Sequence, residues 1–512
     1  MTGQTVSIAS QAADATAGQW RHLRWWLLAF VVLGLLVRTV HVADGIGGDH
    51  VFRQAHVANE ILSLKSEQPA PALKPFEWFN RGFGNGAKIY DTPVFQYTAA
   101  KLSDLSGLDQ VAAAKLLNLI VYVLTGWVLV LVFGKLAETP VVWLTAIYVF
   151  VVSPLSIHFF SAVLPDNLPI LLSLAALYWF LRYEESGETR YWNVSLASAL
   201  FSAAIKPPVF FTMAIALAFH RLRDFGWRDL FRGRVFVFFA AVGLVVVAYS
   251  LTMAYINWGT LRDPNSSWYF GSLTQRLQGH WWKPFLTRLG KEFGSPLFFL
   301  FFLYGLYRWL RHGGGRYRSV VTGWLLGAAV TVLVFFNVNS IHNYYQLPFI
   351  PVYALMVGYG GAGAVAWLSA RLPGVLRYAG LALFTALAVG WAFNGARVMN
   401  YSAVKGLEQE AAFVRANTPA DGFVLWQDCG DAPENHYFAR RRGFCLEPAA
   451  TDDAAVRRIA GRYNGGALDN LFVFAAKDAV SRMRDAGVAL QPVAVFGAAG
   501  QMALYRYAPV VQ

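Results

Sequence analysis

Long runs of apolar residues, separated by short polar segments, occupy most of the chain from residue 25 to residue 396. A helix needs about 20 mostly apolar residues to cross the hydrocarbon core of a bilayer. We therefore predict about 11 transmembrane helices, at 25–42, 110–134, 140–162, 164–182, 192–206, 207–220, 234–256, 293–311, 318–338, 344–369 and 376–396. The pattern leaves open whether the two segments that meet at Lys206-Pro207-Pro208 are two short helices or one broken helix.

The distribution of arginine between the apolar runs predicts how the helices are oriented. The segments 221–234 and 308–318 are rich in Arg, whereas the turns 163–168 and 338–343 contain neither Lys nor Arg. Short loops rich in Lys and Arg remain on the cytoplasmic side of a membrane. With the N-terminus inside, every Arg-rich loop lies inside and both uncharged turns lie outside. An odd number of spans then places the C-terminal tail outside the bacterial inner membrane.

Two long segments are expected on the outer side, at 43–109 and 257–292, and their aromatic residues suggest helices in the membrane interface. Residues 1–20 have the composition of a disordered cytoplasmic leader. The basic group that follows precedes a retained helix rather than a cleaved signal peptide. We thus expect a transmembrane domain over 21–400.

The tail at 405–512 alternates helical and strand patterns, which predicts a small α/β domain on the periplasmic side. Helices are expected at 405–416, 433–440, 452–462 and 477–486, and strands at 423–426, 471–474, 492–496 and 501–507. This tail contains 12 basic and 12 acidic residues, so the net charge of +13 belongs to the part that precedes it. A basic membrane portion suits anionic lipids, and no cluster suggests a nucleic acid.

Asp49 follows two glycines just after the first apolar run, in Gly47-Gly48-Asp49-His50. Such an Asp is either a helix N-cap or a carboxylate base at the membrane surface, and one residue can be both. Arg53 lies about one helical turn further on, where its guanidinium would bind a phosphate or a lipid head group.

Asp166 and Lys206 are ionisable residues next to apolar runs, where a charge is costly unless it serves a pocket or caps a helix. Asp166 is either a helix cap or part of a pocket. Lys206 precedes two prolines, so it is either a lysine that reaches to the interface or a phosphate-binding group at a helix break.

Two further groups complete the set of candidate residues. Lys88 and Asp91 lie where charged and aromatic residues alternate, before a predicted interfacial helix. His342, Tyr344 and Tyr345 lie in an outer turn at the depth of a lipid head group, although tyrosines there also form the ordinary aromatic belt.

These motifs, in this order, resemble the GT-C superfamily and, within it, bacterial proteins of glycosyltransferase family 39. That family includes protein O-mannosyltransferases and the lipid A aminoarabinose transferase. The resemblance rests on Asp49, Arg53-Gln54, the element 92–97, Asp166 and the His-x-Tyr-Tyr motif at 342–345. The chain has Asp49-His50 where many relatives have Asp-Glu, and Asp91-Thr92-Pro93 where some have Glu-Phe-Pro. The second acidic residue of the site therefore stays open.

The resemblance implies a GT-C fold and an inverting transfer of a sugar from a polyprenyl phosphate to an acceptor hydroxyl on a glycan, a lipid or a protein. Asp49 would be the catalytic base, and Asp166 or Asp91 would orient the acceptor. Because the predicted topology places them at the same outer depth, we expect the donor phosphate to be bound by Arg53, Lys206, Tyr344 and Tyr345, together with Lys88 and His342. The alternative function is a transporter or flippase of a lipid-linked glycan, because broken helices with buried charges occur there too.

The two cysteines, Cys429 and Cys445, both lie in the tail, which we expect in an oxidising compartment. Disulfides persist in such compartments, so we predict a Cys429–Cys445 bond. The spacing of His and Cys residues indicates no metal site, and a divalent metal ion is possible without being indicated.

Overall fold

The computed structural model describes residues 23–40, 42, 45–66, 91–137, 139–256, 267–312, 315–400, 405–427, 434–446, 451–497 and 501–508. Helices dominate up to residue 400. They are α1 (23–39), α2 (Val51–Ser66), α3 (Val94–Ser106), α4 (Gln110–Leu136), α5 (Pro140–Val152), α6 (Pro154–Ser161), α7 (Asn167–Ser186), α8 (Thr189–Ile205), α9 (Pro207–Phe225), α10 (Gly233–Ile256), α11 (Ser267–Phe270), α12 (Leu273–Leu277), α13 (Gly279–Lys291), α14 (Pro296–His312), α15 (Arg318–Val334), α16 (Phe336–Ile341), α17 (Ile350–Ser369) and α18 (Gly374–Asn400). Short 3₁₀ helices cover Trp227–Phe231 and Asn343–Phe349.

The chain is an α-helical, multi-pass membrane protein, as its apolar pattern predicts. Each predicted apolar segment overlaps a helix or a bent helix pair. Within the described ranges, four helical stretches are long and apolar enough to cross a bilayer, and counting each of two bent pairs as one span gives up to six. The predicted number of 11 spans is therefore not confirmed.

The break at Lys206 separates two helices. Lys206 has an extended backbone, with φ −153° and ψ 90°, and ends α8, while Pro207 occupies the first turn of α9. Proline is tolerated at that position because the first helical N–H groups have no partner in the helix. Lys206 is thereby held at a helix junction, where its side chain turns into the protein.

Close helix pairs depend on glycine. A Cβ atom at Gly305 of α14 would collide with the carbonyl oxygen of Met356 on α17, and one at Gly327 of α15 would collide with that of Thr212 on α9. Small residues let helices approach closely where the hydrophobic effect adds little to their association. These glycines therefore let α14 lie close against α17, and α15 close against α9.

The C-terminal part is a small α/β unit. Its elements are α19 (Lys405–Ala416), β1 (Phe423–Gln427), α20 (Glu434–Ala439), β2 (Arg442–Leu446), α21 (Asp453–Tyr463), β3 (Leu471–Ala476), α22 (Lys477–Asp485), β4 (Leu490–Phe496) and β5 (Met502–Tyr507). The strand order is β2-β1-β3-β5-β4, with β1 parallel to both of its neighbours and β5 antiparallel to both of its own. The predicted strands are present. Strand β2, a five-residue edge strand that begins with a charged residue, is not predicted by the sequence pattern.

This unit contacts the membrane domain through α20, which packs against α2. Tyr437 of α20 is buried in the apolar cluster that also contains Ile46, Ala55 and Val163. The sheet unit therefore lies at the end of the helical domain that carries the loop between α1 and α2.

Candidate active site

The loop at 45–50 presents Asp49 just before α2. Gly48 and His50 have positive φ angles of 80° and 55°, so the backbone turns sharply on both sides of Asp49. The N–H of Asp49 donates to the carbonyl of Met399 over 2.6 Å, and the amide of Gln54 donates to the carbonyls of Gly47 and Asp49. These bonds hold the loop while 38% of the Asp49 side chain stays exposed.

Asn343 connects Asp49 to a second carboxylate. Its side-chain Nδ2 donates to Oδ2 of Asp49 over 2.7 Å and to Oε2 of Glu292 over 2.9 Å. The Nε2 atom of His50 lies 2.9 Å from Oδ1 of Asn343. We call Asp49, His50, Glu292 and Asn343 the carboxylate cluster.

Glu292 is not among the site residues predicted from the sequence, and Asn343 lies in the predicted outer turn without a predicted role. A signal for Glu292 exists, because it is the only acidic residue between Asp263 and Glu408. Burial raises the pKa of Glu292. The hydrogen bond from Asn343 and the positive charge of Arg288 lower this pKa, while the negative charge of Asp49 raises it further, and the net shift is upward. Arg288 lies one helical turn earlier and donates to the carbonyls of Asn339 and Ile341.

Four buried charges form a second group, which we call the ion quartet: Arg53, Asp91, Lys206 and Asp166. Arg53 donates to Asp91. Nζ of Lys206 is 2.5 Å from Asp166 and 3.9 Å from Asp91. All four side chains are at most 5% exposed. Because the two positive and two negative charges balance, the quartet is formally neutral.

The quartet answers two alternatives that the sequence leaves open. Asp166 occupies the N-cap position of α7, but its side chain makes no capping hydrogen bond and pairs with Lys206 instead. Lys206 does not reach to the interface, because its ammonium lies buried between two carboxylates. Burial lowers the pKa of Arg53, but the Asp91 and Glu60 carboxylates raise it by more, so this pKa lies above its usual value.

Aromatic rings join the carboxylate cluster to the ion quartet. The ring of Tyr344 lies 4.9 Å from the ring of His50, and Nζ of Lys206 lies 5.1 Å from the Tyr344 ring and 4.8 Å from the Tyr345 ring. His342 stacks on Tyr344 at 5.2 Å. Burial, together with nearby positive charge, lowers the pKa of His342 to about 3, so this ring is neutral at pH 7.

The structure therefore brings most of the predicted site residues together at one end of the helical domain. Lys88 and Cys429 lie outside the described residues. Cys445 lies in β2 and is disulfide-bonded, while its pairing with Cys429 stays a prediction. Among the residues that the structure describes, no group of three or more His, Cys, Asp or Glu side chains is arranged to hold a metal ion.

Comparisons with known proteins agree with this architecture. Residues 91–252 match the sequence model of a family described as dolichyl-phosphate-mannose-protein mannosyltransferase. Comparison with curated protein sequences gives no match.

Several solved structures share the fold over nearly the whole chain. ArnT from Cupriavidus metallidurans, bound to undecaprenyl phosphate, has a TM-score of 0.58 at 14% identity and covers 95% of this chain and 99% of its own. The oligosaccharyltransferase AglB from Archaeoglobus fulgidus, in complex with an inhibitory peptide and a dolichol-phosphate, has a TM-score of 0.57 at 13% identity, covering 96% and 74%. The mycobacterial arabinofuranosyltransferase AftD has a TM-score of 0.57 at 16% identity and covers 96% of this chain but 40% of its own. The predicted GT-C fold is thus confirmed.

Proposed function

We propose that this chain is a membrane glycosyltransferase of the GT-C type, which transfers a sugar from a polyprenyl-phosphate donor to an acceptor hydroxyl at the outer face of a bacterial inner membrane. The family match over residues 91–252 and the fold shared with ArnT support this proposal. The observation that carries the proposal is a part-exposed carboxylate, Asp49, next to a buried, cation-containing group. Asp49 can accept a proton, and the cations of the ion quartet can bind an anion.

The topology supports an outer site. Helix α9 begins next to Lys206 in the ion quartet and ends in the segment that contains Arg221 and Arg223. A helix of its 19 residues is about 28 Å long, close to the roughly 30 Å of the hydrocarbon core. The site and the Arg-rich loop therefore belong to opposite faces. Arginine favours the cytoplasmic face, which leaves the site and the sheet unit on the periplasmic face.

In the proposed reaction, Asp49 accepts the proton of the acceptor hydroxyl. The acceptor oxygen forms a bond to the anomeric carbon, the bond from that carbon to the phosphate oxygen breaks, and the polyprenyl phosphate leaves with the electron pair. A direct displacement inverts the anomeric centre. A positioned general base contributes about 10² to 10⁴-fold in rate.

The leaving phosphate needs donors, and we place it beside Lys206 and the two tyrosines. An ammonium group has three donor hydrogens. Among the described residues, Lys206 donates one side-chain hydrogen bond, to Asp166. Lys206 thus has donor capacity for a phosphate oxygen. Because the quartet is neutral, the phosphate must compete with Asp91 and Asp166 for the two cations. Arg53, Lys88 and His342 complete the proposed phosphate-binding set.

The test is Asp49→Asn, assayed in detergent with a panel of polyprenyl-phosphate sugars and envelope acceptors. The amide keeps the shape of the side chain and removes the base, so we expect transfer to fall by about 10² to 10⁴-fold while donor binding stays unchanged. Asp104→Asn is the matched control, since Asp104 lies in the same outer segment with 32% of its side chain exposed. Normal turnover by a folded Asp49→Asn protein would move the search for the base to Asp91, Asp166 and Glu292.

A further inference from the structure

The Asp49 carboxylate depends on contacts from distant parts of the chain. Loop 45–50 is held by the Met399 carbonyl and by Gln54, but these bonds reach its backbone and not the Asp49 side chain. Among the described residues outside this loop, Asn343 is the one that donates a hydrogen bond to the carboxylate. Asn343 is therefore the group that sets where Oδ2 of Asp49 points.

The amide of Asn343 is itself fixed by its neighbours. Nδ2 has two hydrogens, and two carboxylates accept from it at 2.7 and 2.9 Å. The Oδ1 atom lies on the other side, 2.9 Å from His50 Nε2. Turning the amide by half a rotation would place an oxygen against two carboxylates, so the orientation seen here is the one that satisfies all three partners.

Asn343 is 4% exposed, and its backbone begins the 3₁₀ helix that leads into α17. Glu292 ends α13, where Arg288 is anchored to the carbonyls of Asn339 and Ile341. A series of contacts, from Arg288 to Glu292, from Glu292 to Asn343 and from Asn343 to Asp49, thus ties the part-exposed carboxylate to α13 and to the 3₁₀ helix.

We propose that Asn343 is the positioning residue for Asp49 and that Glu292 acts through Asn343 by fixing the orientation of its amide. This inference rests on the proposed function, because it assigns these residues to the general-base step. Glu292 serves here as a hydrogen-bond acceptor, and the step does not need its negative charge.

The experiment compares Asn343→Ala, Glu292→Ala, Glu292→Gln and the double variant Asn343→Ala/Glu292→Ala in the full-length protein. A misplacement of a reacting group by about 1 Å costs about 10²-fold, so Asn343→Ala should lower kcat by about that factor while the KM for the donor changes little. Glu292→Ala should lower kcat in the same sense. Glu292→Gln keeps an acceptor oxygen for Asn343 and should restore most of the activity.

The double variant separates positioning from general damage. If Glu292 acts through Asn343, the double variant should be no slower than Asn343→Ala alone, because residues that act as a unit are not additive. Additive losses, a Glu292→Gln variant as slow as Glu292→Ala, or a wild-type kcat for Asn343→Ala would each overturn the inference.

Hydrogen exchange provides a measurement that does not need activity. The N–H of His50 donates to Oδ1 of Asp49, so its protection depends on where the carboxylate lies, whereas the N–H of Asp49 donates to the Met399 carbonyl. We expect a peptide covering 45–50 to exchange faster in Asn343→Ala than in the wild type, and unchanged exchange would count against the inference. If the wild type transfers no sugar, the proposed function fails while the exchange result still decides the positioning role.

Discussion

Replacing Asp166 by Asn should destabilise the protein far more than the same change in a more exposed ion pair. Lys206 lies 2.5 Å from Asp166, with side chains 5% and 1% exposed. Lys135 and Glu185 are also 2.5 Å apart, but their side chains are 16% and 25% exposed. The two pairs have the same separation but differ in how much water surrounds them, and Glu185 also accepts a hydrogen bond from Tyr317.

The expected size follows from that difference. Removing one partner of a buried pair leaves an uncompensated charge and costs about 3–5 kcal/mol. Asp166→Asn should fall at the lower end, about 3 kcal/mol, because Lys206 keeps Asp91 at 3.9 Å and the faces of Tyr344 and Tyr345. Glu185→Gln, the matched change in the partly exposed pair, should cost about 0–1 kcal/mol.

The assay is unfolding by SDS in mixed micelles, followed by circular dichroism. The double variant Asp166→Asn/Lys206→Met removes both charges and should regain most of the lost stability, since a buried pair is often no more stable than apolar replacements. It should not regain donor affinity if Lys206 binds the phosphate. An Asp166→Asn protein as stable as Glu185→Gln would show that the buried charge is compensated by groups other than Asp166.

Two further predictions concern the C-terminal unit. Burial lowers the pKa of His436 to about 4, against about 6.5 for an exposed histidine, so the unfolded state binds more protons between these pH values. The contribution of the neutral His436 to stability is therefore complete above pH 6.5 and is lost as the pH falls towards 4. His436→Gln should flatten this pH dependence of the free energy of unfolding. The Cys429–Cys445 bond should leave no free thiol in the denatured, unreduced protein, and two titratable thiols would refute the pairing. The bond should also contribute about 3 kcal/mol to the free energy of unfolding, measured by unfolding with and without reductant.

The fold was largely predictable because its signals are local. Apolar runs reveal helices, and the alternation in the tail reveals most strands, since each pattern depends on neighbouring residues. Strand β2 was missed because five residues at a sheet edge, one of them a glycine, carry little pattern. The two prolines after Lys206 predict a break, but only the structure shows that it separates two helices.

The members of the ion quartet could be predicted from the sequence, but their pairing could not. The predicted topology places Arg53, Lys206 and Asp166 at a common depth, but no sequence rule states that Arg53 pairs with Asp91 and Lys206 with Asp166. This pairing matters for binding, because the charges of Arg53 and Lys206, which we expect to bind a phosphate, are already neutralised by carboxylates. On the proposed function, a donor phosphate would compete with Asp91 and Asp166 for Arg53 and Lys206, and its affinity should depend on how easily these carboxylates give up their partners.

The bond between Asn343 and Asp49 joins residues 294 positions apart, and the bond between Asn343 and Glu292 joins residues 51 positions apart. Neither is visible to a periodicity, and an Asn in a polar turn is ordinary. Glu292 did carry a signal, because a single acid in a stretch of over a hundred residues without another must be compensated once it is buried. The charge compensation comes from Arg288, one turn earlier on the same helix, while the hydrogen bond comes from Asn343 across the fold. An isolated acid beside an apolar run is therefore a reason to look for a site, even when its partner cannot be read from the chain.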